Sequence, residues 1–154
     1  MQLYVIVAQG NAQFCLVAAD VGLIKSGTST LEAALLGCRH AIYYRASAIA
    51  SWFFQVWIGY KGPIGLSNLA SLTVAPAAVD RKKLVFREFV LSDAQTSLLA
   101  AELVALLSDP SRQREVDEAC VRLKEEMLNG AKMKGASARV AEEVICILTR
   151  EELN

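Results

Sequence analysis

The stretch that decides the predicted fold is Asp20-Val21-Gly22-Leu23-Ile24-Lys25-Ser26-Gly27-Thr28-Ser29-Thr30-Leu31-Glu32. It opens with a short apolar run between an acidic residue and a glycine, which is typical of a buried strand that ends in a turn. Residues 26–30 are small and carry four hydroxyl groups. The apolar residues that follow keep helical character up to Gly37, a good helix stop. The sequence therefore predicts a strand, a turn and a helix in direct succession.

A turn of this kind suits a phosphate or diphosphate group. A helix N-terminus offers unpaired backbone N–H groups and a partial positive charge. Gly27 lets an anion approach the backbone, and the hydroxyls of Ser26 and Thr28 add donors. Glu32, one turn into the helix, could accept hydrogen bonds from a ribose diol. The alternative is that Ser26 or Thr28 caps the helix and Glu32 closes a capping box. The residues alone leave both interpretations open.

Length and composition indicate one globular domain without a preference for nucleic acid. The chain has 154 residues, of which 54% are hydrophobic and 21% are charged, as in a domain with a substantial core. Its formal net charge is zero, from 16 basic and 16 acidic residues, whereas a general nucleic-acid binder carries a basic excess. Most charges lie between Arg81 and Glu152, so the first half is predicted to hold the core and the site.

The cysteines and the hydropathy indicate a metal-free cytoplasmic protein. Cys15, Cys38, Cys120 and Cys146 form no Cys-x-x-Cys pair, and His40 is the sole histidine. No metal site is therefore predicted. Scattered cysteines without a signal-peptide pattern fit a reducing compartment. No apolar run reaches the roughly 18 to 20 residues that span a bilayer.

Strands and helices alternate along the first half of the chain, which predicts βαβ units and a parallel sheet. The predicted strands are Leu3–Ala8, Val21–Ile24, Ala41–Tyr44 and Pro63–Leu66, with a helix over Ala12–Ala19 for which Asn11 is the expected N-cap. In such sheets, ligands bind beyond the carboxyl ends of the strands. Ser26, Arg45 and Asn68 all fall at or just after a predicted strand end.

Two of these residues have a functional and a structural interpretation. The guanidinium of Arg45 could pair with a diphosphate or with an acceptor phosphate through its fork of donors, or it could be a surface arginine. Asn68 could offer its amide to a sugar hydroxyl or a phosphate, or it could be a helix N-cap.

The aromatic segment 46–60 is predicted to be a helix, with two alternatives for what it contacts. It could pack against the sheet, or it could lie at a membrane surface with Trp and Tyr at headgroup level and Arg45 and Lys61 as flanking cations. Leu72–Leu84 is predicted to be an inserted loop with Pro76 as its breaker. The Arg81-Lys82-Lys83 run within it is expected to be a solvated patch, and it could also attract anionic lipid.

Residues 92–154 are predicted to form C-terminal packing helices on the α/β part at 1–91. The first helix is expected to begin at Ser92 or Asp93, the second to run from Pro110 to Asn129-Gly130, and the last to begin at Ser137. The buried stripe of the second is predicted to consist of Val116, Ala119, Cys120, Leu123 and Met127. The carboxylates of these helices are expected on solvated faces.

Several of these motifs together resemble the lipid-A-disaccharide synthase family. They are Ala18-Ala19-Asp20, Ser26-Gly27-Thr28, Leu31-Glu32, Leu36-Gly37-Cys38, Tyr44-Arg45, the aromatic segment at Trp52, and Leu66-x-Asn68-Leu69. The resemblance covers most of the chain. The Ser-Gly-Thr-x-x-Leu-Glu element recurs in several nucleotide-sugar glycosyltransferases. The joint occurrence of Tyr-Arg, the aromatic segment and Leu-x-Asn-Leu is more specific to this family. The family has Pro where this chain has Ser67, which predicts a looser turn. The pair Arg87-Glu88 resembles an Arg-Glu pair near the acceptor side of the family's site.

The resemblance implies a fold and a reaction. The fold is α/β: the C-terminal Rossmann-like half of a GT-B-type glycosyltransferase, an incomplete doubly wound parallel sheet followed by C-terminal helices. The reaction joins UDP-2,3-diacylglucosamine to 2,3-diacylglucosamine 1-phosphate and releases UDP. The family acts on acyl-chain substrates, which implies a cytoplasmic protein at the surface of the inner membrane.

The resemblance also assigns roles to residues of the predicted site. Ser26, Gly27 and Thr28 would hold the donor diphosphate, Glu32 the ribose, and Arg45 and Asn68 the sugar or its phosphate. No metal or cofactor is implied, because the UDP-sugar is a substrate. No catalytic residue is expected in this part, since the general base belongs to the family's N-terminal half.

That N-terminal half has no counterpart in the chain, which affects the predicted sheet. In the strand order 3-2-1-4-5-6, Leu3–Ala8 would be strand 3 without its neighbours, and the next strand would expose an open edge. We therefore expect a fragment or split half that on its own is aggregation-prone, rearranged or completed by a partner. The partner would be the missing N-terminal half or a second copy of the chain. Two other hypotheses remain: half of a glycosyltransferase for another UDP-sugar, and a non-catalytic interaction module.

Overall fold

The computed structural model describes residues 4–45, 62–72, 80–133, 138, 140–142 and 144–146, and it contains a three-stranded parallel sheet. The strands are β1 (Gly22–Lys25), β2 (His40–Tyr44) and β3 (Glu88–Val90), in the order β1-β2-β3. Leu23 pairs with Ala41, and Tyr43 pairs with Phe89. The prediction of an incomplete parallel α/β sheet followed by helices is confirmed.

Five helices are described with continuous bounds, and they precede, separate and follow the strands along the chain. They are α1 (Ala12–Ala18), α2 (Thr28–Leu35), α3 (Leu66–Ala70), α4 (Thr96–Ser108) and α5 (Pro110–Met133), with short 3-10 turns at Arg81–Lys83 and Leu91–Asp93. The chain divides into two compact units, Met1–Leu123 and Lys124–Asn154. Among the helices of the described ranges, none is both long enough and apolar enough to cross a membrane.

The helix stop predicted at Gly37 is confirmed by the hydrogen bonds at the end of α2. Gly37 has φ 78°, a left-handed conformation that costs glycine little. Its N–H donates to the carbonyl of Ala34 at 3.1 Å, and the Cys38 N–H donates to the carbonyl of Ala33 at 2.9 Å. These two bonds form a Schellman motif, which turns the chain from α2 into β2.

The core of the first unit is formed by residues of α2, β2, the segment before β3, α4 and the first part of α5. Its buried members are Ala34, Ala41, Ile42, Phe86, Leu106, Val116, Ala119, Cys120 and Leu123. Four of the five residues in the predicted stripe of α5 belong to it. The fifth, Met127, lies in the second unit and is 43% exposed, so that part of the prediction is wrong. The helix also runs past the predicted end at Asn129-Gly130, to Met133.

The carboxylate of Glu102 on α4 contradicts the prediction of solvated acidic faces. It is buried and pairs with the buried guanidinium of Arg112 at 2.7 Å. Arg112 also donates to the carbonyl of Val85 at 2.6 Å, and Arg87 reaches Glu102 at 3.2 Å. Burial of these charges is tolerated because each finds a partner of opposite charge or a carbonyl. The network joins α4 and α5 to the segment leading into β3.

The predicted strand at Leu3–Ala8 is wrong for the residues that the structure describes. Tyr4, Val5, Ile6 and Val7 form no strand, and their exposures range from 77% to 90%. A strand needs a neighbouring backbone to pair with, and β1, β2 and β3 pair with one another only, among the described residues. The expected open edge is present at β1, where Leu23 is 41% exposed.

The other predicted elements have mixed outcomes. Pro63–Leu66 is not a strand: residues 63–65 have no strand assignment, and α3 begins at Leu66. The strand β3 was not predicted at all. The N-cap position of α4 is Gln95 rather than Ser92 or Asp93. The described residues between 138 and 146 are helical, as predicted. The aromatic segment 46–60 and residues 73–79 of the predicted loop lie outside the described residues.

Candidate functional site

The predicted phosphate turn connects β1 to α2, as its sequence indicates. Gly27 is the N-cap residue of α2, with φ 147° and ψ −163°. Residues other than glycine rarely adopt this backbone conformation. A Cβ atom at this position would meet no atom within 4 Å. The glycine is therefore required by the backbone conformation, and the space next to it is open.

The alternative in which a hydroxyl caps the helix is wrong in this structure. No side chain of the described residues forms a capping hydrogen bond at the start of α2. Gly27 and Thr28 are exposed at the turn. An uncapped helix start leaves its first N–H groups to solvent or to a ligand. This arrangement has the local geometry that an anion requires.

The hydroxyl of Ser26 contacts the protein rather than open solvent. It donates to the carbonyl of Ile64 at 2.8 Å, and the Ser26 backbone N–H donates to the carbonyl of Tyr43 at 2.9 Å. The hydroxyl proton is therefore used by the 62–72 segment in this structure. Its oxygen could still accept a hydrogen bond, and Thr28 keeps its hydroxyl free of bonds to the described residues.

Thr30 has a structural role in the turn. It is fully buried, and its hydroxyl donates to the carbonyl of Gly27 at 2.8 Å. The same oxygen accepts the backbone N–H of Ser67 at 3.3 Å. Proline has no N–H to donate, so Ser67 allows a bond that the family's proline would not. The turn at Ser67 is therefore tied to α2, and its looseness relative to a turn that contains proline stays a prediction.

Glu32 lies on α2, one turn after Gly27, and its carboxylate does not form a capping box. Gln13 on α1 donates from Nε2 to Oε1 of Glu32 at 2.7 Å. Oε2 of Glu32 has no hydrogen bond to the described residues, so it could accept one from a ligand. Gln13 was not singled out in the sequence, since an isolated glutamine on a short helix carries no motif.

Arg45 follows the last residue of β2 and is exposed. It makes no hydrogen bond or ion pair with the described residues. Because β1 and β2 are parallel neighbours, Ser26 and Arg45 both lie at the carboxyl edge of the sheet. The structure thus brings the predicted diphosphate turn and the predicted cation to the same edge.

Asn68 is placed differently from the prediction. It is buried in α3, whose N-cap is Gly65, so Asn68 is neither at a strand end nor an N-cap. Its Nδ2 donates to the carbonyl of Phe86 at 2.6 Å and to Oε1 of Glu88 at 2.9 Å. Its Oδ1 accepts the Phe86 N–H at 3.3 Å. Both amide hydrogens are therefore used within the protein, and a direct contact with a sugar stays a prediction.

Glu88 has a role in this region that the sequence did not reveal. The Arg87-Glu88 pair was noticed only through the family resemblance. In the structure the two side chains separate: Arg87 contacts Glu102, and Glu88 contacts the 62–68 segment. Strand alternation could have suggested this separation, had β3 been predicted.

The one strongly perturbed imidazole lies away from this edge. His40 is the first residue of β2, whereas Arg45 follows its last. It is fully buried, stacked on Phe86 with ring centroids 4.6 Å apart, and burial lowers its pKa to about 4. Burial also raises the pKa values of the Cys38 and Cys120 thiols. These groups are neutral members of the core at neutral pH.

The sheet and turn together define a class of protein. This is an α/β protein with a parallel sheet, whose first strand leads through a glycine turn into an uncapped helix, the geometry that phosphate-binding proteins use.

The comparisons with known proteins define the family. The family model for lipid-A-disaccharide synthetase matches residues 1–143. The chain therefore belongs to the lipid-A-disaccharide synthetase family. No solved structure matches the chain.

Relatives from three bacteria show how much of the family protein the chain represents. The lipid-A-disaccharide synthase of Syntrophus aciditrophicus is 29% identical over 145 residues, which are 94% of this chain and 34% of the relative. That of Dechloromonas aromatica is 33% identical over 130 residues, or 84% and 31%. That of Anaeromyxobacter dehalogenans strain 2CP-1 is 30% identical over 146 residues, or 95% and 34%. The chain spans about a third of the length of these relatives.

Proposed function

We propose that this chain is the donor-nucleotide part of a lipid-A-disaccharide synthase. The observation that carries the proposal is the turn at Ser26–Thr28: an exposed glycine in a left-handed conformation before an uncapped helix, in a chain that belongs to this family. The proposed donor is UDP-2,3-diacylglucosamine, the proposed acceptor is 2,3-diacylglucosamine 1-phosphate, and UDP is released.

The roles proposed for the residues follow from their positions at the sheet edge. The backbone N–H groups at Gly27 and Thr28, with the positive end of α2, would hold the diphosphate. The free carboxylate oxygen of Glu32 would accept hydrogen bonds from the ribose. Arg45 would pair with a phosphate, since its guanidinium is exposed and unpaired with the described residues. Asn68 would orient the sugar indirectly, because its hydrogen bonds to Phe86 and Glu88 hold the 62–68 segment in place.

The proposed chemistry is positioning and stabilisation of the leaving group. As the glycosidic bond to UDP breaks, negative charge grows on the diphosphate, which the helix N-terminus and Arg45 would stabilise. The proposal includes no metal or cofactor. The general base and the acceptor site would come from the part of the family protein that lies outside the match to this chain. Because the proposed substrates carry acyl chains, we propose that the reaction takes place at the cytoplasmic surface of the inner membrane.

The test is UDP binding to the purified 154-residue chain by calorimetry, with circular dichroism on the same sample. Glu32→Ala is expected to weaken binding about 10- to 100-fold, because a hydrogen bond to a charged group contributes about 1.5–3 kcal/mol. Glu126→Ala is the matched control, since Glu126 is an exposed carboxylate on α5. Equal affinities for the Glu32 variant and the control would refute the ribose role.

A second candidate is a non-catalytic module that binds a protein partner. The observation in its favour is the exposed apolar segment Tyr4–Val7, next to α1, which has no buried residue. The partner would be a polypeptide that adds strands beside β1. A well-folded chain that shows no affinity for UDP or UDP-sugars would favour this candidate over the first.

A further inference from the structure

Glu88 is a buried carboxylate with three hydrogen-bond donors. Its Oε2 accepts the backbone N–H of Ile64 at 2.8 Å. Its Oε1 accepts the backbone N–H of Gly65 at 2.8 Å and Nδ2 of Asn68 at 2.9 Å. All three donors belong to the segment that leads into and forms α3. A charged acceptor with this many partners holds that segment more firmly than neutral hydrogen bonds would.

The fit around this carboxylate is tight. Gly65 lies so close to the central strand that an added Cβ would be 2.3 Å from Cδ1 of Ile42 and 3.1 Å from Oε1 of Glu88. The negative charge also lies next to the first residues of α3, where backbone N–H groups lack partners within the helix. The 62–68 segment is therefore fixed against β2 and β3 in one position.

The same segment contacts the proposed diphosphate turn at two places. Ile64 donates its N–H to Glu88, and its carbonyl accepts the hydroxyl of Ser26 at 2.8 Å. Three residues further, the N–H of Ser67 donates to the Thr30 hydroxyl, which in turn donates to the carbonyl of Gly27. One residue at each end of the turn is thus bonded to a segment whose position Glu88 determines.

We propose that Glu88 is a positioning residue of the donor site, which fixes the 62–68 segment and through it the turn at Ser26–Thr30. This inference rests on the proposed function, because it assumes that the turn holds the donor diphosphate. Glu88 itself is buried and touches no part of the exposed turn, so it acts through Ile64 and Asn68. Without its charge, at least one of the three donors loses its acceptor, and the segment that contacts the turn at Ser26 and Thr30 is held less firmly.

The experiment uses the full chain with Glu88→Gln. Glutamine keeps the size of the side chain, but its NH₂ group replaces one acceptor oxygen. That NH₂ group would then face a backbone N–H, so that two donors meet without an acceptor. UDP affinity is measured by calorimetry, and backbone hydrogen exchange is measured at residues 26–30 and 64–69. The expected result is at least 10-fold weaker binding together with faster exchange at both segments.

Val116→Ala is the matched control, because it removes buried apolar volume from α5 and takes part in none of these hydrogen bonds. It is expected to lower the melting temperature and to leave UDP affinity and exchange at residues 26–30 unchanged. Glu88→Asp keeps the charge on a shorter side chain and serves as the variant to use if Glu88→Gln does not fold. It is expected to weaken binding and to speed exchange at residues 26–30.

The two hypotheses fail in different ways. If the wild-type chain folds but does not bind UDP, the proposed function fails, and exchange at residues 26–30 alone decides the role of Glu88. If Glu88→Gln, or Glu88→Asp in its place, shows wild-type exchange at the turn and wild-type UDP affinity, the positioning role is overturned. A loss of affinity of equal size in Val116→Ala would also overturn it, because general destabilisation would then explain the effect.

Discussion

The buried imidazole of His40 predicts that the chain loses stability in mild acid. Its ring has no exposure, and Nδ1 donates to the carbonyl of Cys38 at 2.8 Å, which assigns the proton of the neutral ring to Nδ1. Nε2 is buried without a hydrogen-bond partner among the described residues. A second proton on Nε2 would place an unpaired charge in the core. Burial therefore lowers the pKa of His40 from 6.5 to about 4.

The sign and size of the effect follow from this depressed pKa. Between the two pKa values the unfolded chain binds a proton that the folded chain does not, so the free energy of unfolding falls as the pH falls. The full stability is present above 6.5 and is lost on the way down to about 4. The loss amounts to about 2 kcal/mol at about pH 5 and approaches about 3 kcal/mol below pH 4.

Urea denaturation between about pH 7.5 and pH 5 measures this loss in the wild type and in His40→Gln. The variant has no titrating group at this position, so its stability should change less over that range. Carboxylates titrate in both chains, and the difference between the two chains removes their contribution. The chain has one histidine, so an NMR titration of its ring follows His40 alone. Equal pH dependence in both chains, or a ring pKa near 6.5, would refute the reasoning.

Two further substitutions test the packing around the proposed site. Gly65→Ala places a Cβ atom 2.3 Å from Cδ1 of Ile42 and should destabilise the chain by about 1–3 kcal/mol; an unchanged urea midpoint would contradict the close approach. Ser67→Ala removes a buried hydroxyl without a partner among the described residues and keeps the N–H that bonds to Thr30. This substitution should leave the free energy of unfolding unchanged or raise it by up to about 1 kcal/mol. A decrease of more than about 1 kcal/mol, measured by thermal melting, would show that the hydroxyl has a partner.

The parts of the fold that the sequence predicted are those set by local patterns. The turn between β1 and α2 follows from an apolar run, a glycine and a helical pattern that are adjacent in the chain. The stop at Gly37 and the start at Pro110 also depend on residues within one turn of the helix end. The structure confirms these elements, with boundaries shifted by a few residues at most.

The errors concern elements that depend on distant partners. Tyr4–Val7 has the composition of a strand, but it pairs with no strand among the described residues. β3 is three residues long, and its first residue is a buried glutamate, so the hydrophobic pattern did not reveal it. The buried pair of Glu102 and Arg112 was missed because two charged residues on separate helices look solvated until they are seen together.

The candidate site also has a part set by local sequence patterns and a part set by contacts between distant residues. The sequence by itself determined the turn at Ser26–Thr28, with Glu32 one turn later and Arg45 at the next strand end, because short spacings along the chain fix these positions. Only the tertiary structure showed that Asn68 is used by Phe86 and Glu88, and that Ser26 and Thr30 are bonded to the 62–68 segment. The residues in these bonds are 18 to 38 positions apart, and the direction in which a side chain points depends on which backbone groups folding brings next to it.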